Sequence, residues 1–147
     1  MKAKYRHTNI ISSNWQSLSQ FYQEVFGCIP VPPERKLSGK WLDKGTGIKG
    51  ARFAGIHLRL PGYGDNGPTL EIYQYSKNLA KSSPAANREG FGHIAFEVDS
   101  IQEAVKGKKV IIEPNSPSPG VVVAFIEDNG APIEFIEVDS SIAEVGI

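Results

Sequence analysis

Residues His93-Ile94-Ala95-Phe96-Glu97-Val98-Asp99-Ser100 decide how this chain is read. Apolar and polar side chains alternate over 93–98, the period of a half-buried strand, and Asp99-Ser100 is a helix-capping signal. Ile101, Ala104 and Val105 then share one face of a short helix. The same order occurs near the start of the chain. Tyr5-Arg6-His7-Thr8-Asn9-Ile10-Ile11 reads as a strand and Ser12-Ser13-Asn14 as a cap. Trp15, Leu18, Phe21, Tyr22, Val25 and Phe26 follow at helical spacing, and Gly27 closes the helix. In this register His7 falls on His93, Ser13 on Asp99 and Trp15 on Ile101.

The segments downstream of each helix also match. Strands are predicted over 50–60 and Thr69–Tyr75, joined by a stretch at 61–68 rich in Pro, Gly, Asp and Asn. In the second half they are predicted over 110–113, Val121–Glu127 and Pro132–Val138, with a turn at Asp128-Asn129-Gly130. Leu70-Glu71-Ile72 falls on Ile133-Glu134-Phe135, and 76–90 is a polar linker. The expected class is α+β: two βαβββ modules, 1–84 with the linker and 85–147, forming a curved mixed sheet around a central cleft as one structural domain. Two copies of so long a unit do not make a solenoid.

The 147 residues carry 16 basic and 16 acidic side chains, but the two signs are segregated. Residues 1–84 hold twelve Lys/Arg against five Asp/Glu, and 85–147 hold four against eleven. The densest basic run contains Arg35, Lys36, Lys40, Lys44, Lys49 and Arg52. It reads as a solvated or complementary face, or as a rim that attracts an anionic substrate. The neutral total gives no reason to expect nucleic acid, and the longest apolar run, Val121 to Ile126, is far too short to cross a membrane. Residues 1–4 lead into polar sequence without a signal or transit pattern. The single cysteine, Cys28, excludes an internal disulfide framework and suits a reducing cytoplasm.

Strand parity places the polar residues. With Ile94, Phe96 and Val98 packed on the helix, His93, Ala95 and Glu97 lie on the opposite, concave face. His7 shares a face with Tyr5, Asn9 and Ile11; Glu71 with Tyr73 and Tyr75; Glu134 with Ile136 and Val138. Each repeat therefore supplies one histidine early in its first strand and one glutamate in its last. Pseudo-twofold symmetry would bring His7, Glu71, His93 and Glu134 together. Two imidazoles and two carboxylates suit a divalent ion such as Zn, Ni, Co, Fe(II) or Mn, with room for water or substrate. His57, mid-strand and without a repeat partner, reads as a packed or exposed histidine, and Glu97 as a rim residue or a neighbour of the site. Cys28 reads as a buried structural thiol. Leu37, Trp41 and Leu42 are at helical spacing and predict a helix that packs on the sheet or closes one end of the cleft.

On these residues the chain resembles the vicinal oxygen chelate (glyoxalase/bleomycin resistance/dioxygenase) superfamily. The resemblance rests on His7 with Phe21-Tyr22-Gln23-Glu24-Val25-Phe26-Gly27, on Leu70-Glu71-Ile72, on Gly90-Phe91-Gly92-His93-Ile94-Ala95-Phe96, and on Ala124-Phe125-Ile126-Glu127-Asp128 with Ile133-Glu134. It implies paired βαβββ modules, a metal held by His7, Glu71, His93 and Glu134 as in glyoxalase I, and a homodimer. Ile11 and Tyr75 stand where glyoxalase I enzymes have an arginine and an asparagine, departures that weaken the case for a glutathione substrate and leave the choice between glutathione and CoA open.

Three functional classes follow. The first is a metal-dependent lyase or isomerase of the glyoxalase type, moving a proton alpha to a carbonyl or thioester of a small, anionic substrate. Glu134 is the expected base, with Glu71 its counterpart; an acyl-CoA epimerase of the methylmalonyl-CoA type is a variant of this class. The second is an extradiol-type dioxygenase, for which two His and one carboxylate suffice. The third is a non-catalytic binding or resistance protein, in which Tyr73 and Tyr75 could face a cation or an aromatic molecule.

Overall fold

Helix α1 (Trp15–Phe26) shows how closely the local sequence sets the backbone. The Asn14 side chain accepts the Ser17 amide at 3.1 Å, which satisfies one of the amides that the first turn leaves open. At the other end Gly27 turns left-handed, at φ 70°, so that its own amide reaches the Gln23 carbonyl and the Cys28 amide reaches that of Tyr22. Between the caps, Trp15, Leu18, Ser19 and Tyr22 form the buried face.

The computed structural model describes residues 1–83, 85–127 and 132–142, and the turn expected at Asp128-Asn129-Gly130 lies outside them. The chain divides into two compact units, Met1–Lys81 and Ser82–Ile147. The first contains β1 (His7–Ile11), α1, β2 (Ile29–Ser38), α2 (Lys40–Thr46), β3 (Arg52–Arg59) and β4 (Thr69–Tyr75). Its sheet runs β1-β4-β3-β2, with β1 parallel to β4 and the other pairs antiparallel. The second contains β5 (Ile94–Glu97), α3 (Ile101–Ala104), β6 (Val110–Ser118), β7 (Val121–Glu127) and β8 (Pro132–Val138), and its sheet runs β5-β8-β7-β6 with the same pairing senses. Unit 2 is thus a βαβββ module, and unit 1 is the same arrangement with α2 inserted between β2 and β3; each has a four-stranded mixed sheet. Among the described residues no helix is long and apolar enough to cross a membrane.

Two strands differ from expectation for one reason. β2 contains Pro30, Pro32 and Pro33, and β6 extends past 113 through Pro114 and Pro117. Proline cannot donate to a ladder, so such runs do not read as strands; both sit at sheet edges, where the missing donors are tolerated. Leu37 consequently belongs to β2 and not to a helix with Trp41 and Leu42. In α2 only Leu42 is buried, against Ala51, Phe53 and Tyr73, while Trp41 is exposed.

In unit 1 the residues of even number, Ile10, Ile56, Leu58, Leu70 and Ile72, fill the core on one face of the sheet. Leu58, Leu70 and Ile72 are fully enclosed. In unit 2 Ala124, Ile126, Ile133, Phe135 and Ile101 of α3 do the same. Burial of one face fixes the register, because a slip of one residue would exchange the two faces. It therefore also fixes which side chains the opposite face presents.

Candidate functional site

The other face of the unit 1 sheet is read off the register. Asn9 lies beside Glu71, and Glu71 lies directly opposite His57. Ile11 lies beside Tyr73, Tyr73 opposite Gly55, and Gly55 opposite Arg35. His7, Thr69 and Arg59 form the next row. His7 Nε2 is 3.1 Å from Glu71 Oε1, so the structure brings these two expected residues together.

His57, which the sequence pattern leaves as a packed or exposed residue, is part of the same cluster. Its Nε2 lies 3.1 Å from Glu71 Oε2 and 2.6 Å from the Tyr73 hydroxyl. The hydroxyl in turn donates to Glu71 Oε2 at 3.0 Å, and Asn9 Nδ2 donates to Oε1 at 3.3 Å. Burial lowers the pKa of His57; the Glu71 charge opposes that shift, while Arg35 and His7 add to it. The Tyr73 phenol is pushed well above its usual range, by burial first and then by the charge and hydrogen bond of Glu71. Both are therefore neutral at pH 7. Gly55 leaves the space in which the Tyr73 ring stacks on Phe53, with centroids 4.3 Å apart. Arg35 is held to its own strand by its contacts with the Val31 and Pro33 carbonyls.

Unit 2 presents the equivalent pair in different surroundings. His93 Nε2 is 3.6 Å from Glu134 Oε1. The register neighbours of Glu134 are Ala95 on β5 and Phe125 on β7, where Glu71 has Asn9 and His57. The His93 ring meets Phe125 edge to face at 5.0 Å. A cavity of about 230 Å³ opens beside His93, lined by Ala86, Ile111, Ile112, Phe125 and Pro132. Glu97 is exposed and lines a separate hollow with Asp99 and Glu137. Cys28 is buried, and burial raises its pKa from 9.0 to about 11.

The donor geometry can be compared with what a metal requires. Bonds of about 2.0–2.2 Å place adjacent donors of a tetrahedral or octahedral ion roughly 2.8–3.6 Å apart. The two N···O separations, 3.1 and 3.6 Å, fall in that interval. Each unit therefore offers one imidazole and one carboxylate spaced as neighbouring ligands. Among the described residues no group of three or more His, Cys, Asp or Glu side chains is arranged to hold an ion by itself. In unit 1 this follows from the chemistry, since His7 and His57 address different oxygens of Glu71 and Oε2 is already engaged by Tyr73.

No protein-family model matches the sequence, and no curated protein does. Solved structures do match along nearly the whole chain. A glyoxalase family protein from Bacillus cereus aligns with a TM-score of 0.79 at 16% identity, over 94% of this chain and 95% of that one. A glyoxalase family protein from Enterococcus faecalis aligns at 0.58 and 22%, over 92% and 97%. The fosfomycin resistance protein FosX from Listeria monocytogenes, complexed with Mn(II) and a dihydroxypropylphosphonic acid, aligns at 0.57 and 15%, over 92% of each chain. The chain shares the fold of these proteins.

Proposed function

We propose that this chain is a metal-dependent lyase or isomerase of the glyoxalase type, with a divalent ion held by His7, Glu71, His93 and Glu134. The observation that carries the reading is the repeated pair: in each unit an imidazole nitrogen and a carboxylate oxygen are spaced as adjacent ligands. The Mn(II) bound by FosX, a protein of the same fold, supports it. Such an ion, when bound, supplies Lewis acidity toward a substrate oxygen.

The residues of the chain account for the rest. Glu134 acts as the base, taking a proton at a carboxylate oxygen from the carbon alpha to a carbonyl or thioester and returning it to the neighbouring atom, so the enzyme is unchanged at the end. Its register neighbours Ala95 and Phe125 carry no side-chain donor to hold it, unlike Asn9 and His57 beside Glu71. Arg35 and Arg59 share the Glu71 face of their sheet and favour a substrate bearing a carboxylate or phosph(on)ate. The cavity beside His93 accepts a small apolar group. One buried thiol and no second cysteine suit a cytoplasmic enzyme.

The test is exchange of a substrate proton for deuterium, followed by NMR with the metal-loaded protein and a panel of anionic α-hydroxy ketones and thioesters. Exchange with at least one member, lost in Glu134→Gln with metal retained, is the expected result. No exchange across the panel contradicts the proposed activity.

A further inference from the structure

The two glutamates occupy equivalent places in the repeat but not equivalent surroundings, and the difference assigns work to residues outside the ligand set. Glu71 is contacted on both oxygens. The single Tyr73 hydroxyl proton is donated to Oε2, so the 2.6 Å contact between Tyr73 and His57 requires His57 Nε2 to be the donor. His57 Nε2–H, Tyr73 Oη–H and Glu71 Oε2 thus form one directed chain, in which His57 carries a proton on Nε2. Asn9 Nδ2 approaches the other oxygen, Oε1, which is the one next to His7. The chain is partly enclosed: Tyr73 is buried, stacked on Phe53 and packed against Leu42, and His57 is half-buried. None of this is copied in unit 2, where Ala95, Phe125 and Ile136 stand in the positions of Asn9, His57 and Tyr73.

We infer that His57 and Tyr73 are positioning residues that hold Glu71 as a one-oxygen ligand, leaving Oε1 alone to face the metal. The inference rests on the metal reading proposed above. It divides the roles of the two carboxylates: Glu71 is fixed and stays a ligand, while Glu134, set among apolar side chains, is the one able to turn toward substrate. Partners that orient a ligand in this way typically contribute 10–100-fold to metal affinity.

The test is Co(II) binding to the full chain, followed by titration and by the visible absorption of the bound ion. Tyr73→Phe keeps the ring stacked on Phe53 and removes only the hydroxyl. It should weaken Co(II) binding about 10–100-fold and change the position or intensity of the absorption bands, because Oε2 is released to the ion. His57→Gln retains an N–H donor and should fall between Tyr73→Phe and wild type, whereas His57→Ala should resemble Tyr73→Phe. The two His57 variants keep the test decisive should Tyr73→Phe fold poorly. Ile136→Val, at the unit 2 position equivalent to Tyr73, should bind as wild type. Wild-type affinity and spectrum in both Tyr73→Phe and His57→Ala would overturn the positioning role alone. A wild-type chain that binds no Co(II) would overturn this role together with the metal reading.

Discussion

Gly55 lies on β3 directly opposite Tyr73, beneath the ring that reaches Glu71. A methyl group added there would lie 2.1 Å from the Ile72 carbonyl oxygen and 2.6 Å from Tyr73 Cδ1. Carbon ordinarily keeps about 3.5 Å from such atoms, so the strands must separate locally by roughly 1 Å. β4 is hydrogen-bonded on both sides, to β3 and to β1, and has little freedom to move. Overpacking of this kind costs about 1–3 kcal/mol, and a backbone obstacle places Gly55→Ala at the upper end. The lower entropy of the unfolded alanine chain returns about 0.4–1 kcal/mol. The net loss is about 2 kcal/mol, which at a urea slope of about 2 kcal/mol/M lowers the midpoint by about 1 M. Gly45→Ala is the control with the opposite sign. Gly45 lies inside α2, a methyl there meets nothing within 4 Å, and the helix should gain about 0.5–1 kcal/mol. Urea unfolding followed by circular dichroism compares the two. A Gly55→Ala midpoint equal to or above wild type refutes the close approach of β4 at this position.

Leu70→Ala removes a fully enclosed side chain opposite Leu58 and should cost about 2–5 kcal/mol in the same assay, more than any exposed strand position. Asn14→Ala deletes the α1 cap and should cost about 1 kcal/mol, with Asn14→Ser close to wild type. Cys28 should resist a thiol reagent at pH 8 in the native state and react at once in guanidinium, because its raised pKa, about 11, keeps the buried thiol protonated. The same shift sets a direction for stability. Below pH 9 the thiol is protonated in both states; above it the unfolded chain ionises first, so this contribution is lost as pH rises toward 11, and Cys28→Ala should remove that decline.

Much of the fold was legible because periodicity and caps agree. β4, β7 and β8 have the bounds expected from short apolar-rich runs ending at turn residues, and Asn14 with Gly27 frames α1. The edge strand β2 and the part of β6 beyond 113 were hidden by their prolines, which pairing on one side makes tolerable. Leu37, Trp41 and Leu42 show the opposite failure, a helical spacing that spans a strand end and a helix start. His7 beside Glu71 and His93 beside Glu134 could be expected because each pair recurs in the repeat. His57 could not, since Phe125 occupies its place in unit 2. A signal was nevertheless present. The turn at 61–68 is centred near Gly64, and folding the chain back about that point sets His57 opposite Glu71. Tyr73 was placed on the correct face by parity; that its hydroxyl binds Glu71 depends on the space left by Gly55, which parity does not reveal.

Metal binding by the purified chain, measured by calorimetry with Mn(II) or Zn(II) and by elemental analysis after dialysis, separates the alternatives. One divalent ion per chain is predicted for wild type, lost in His7→Ala and equally in His93→Ala, although those histidines belong to different units. No bound ion in the wild-type chain, or full binding in either histidine variant, would contradict the four-residue metal centre.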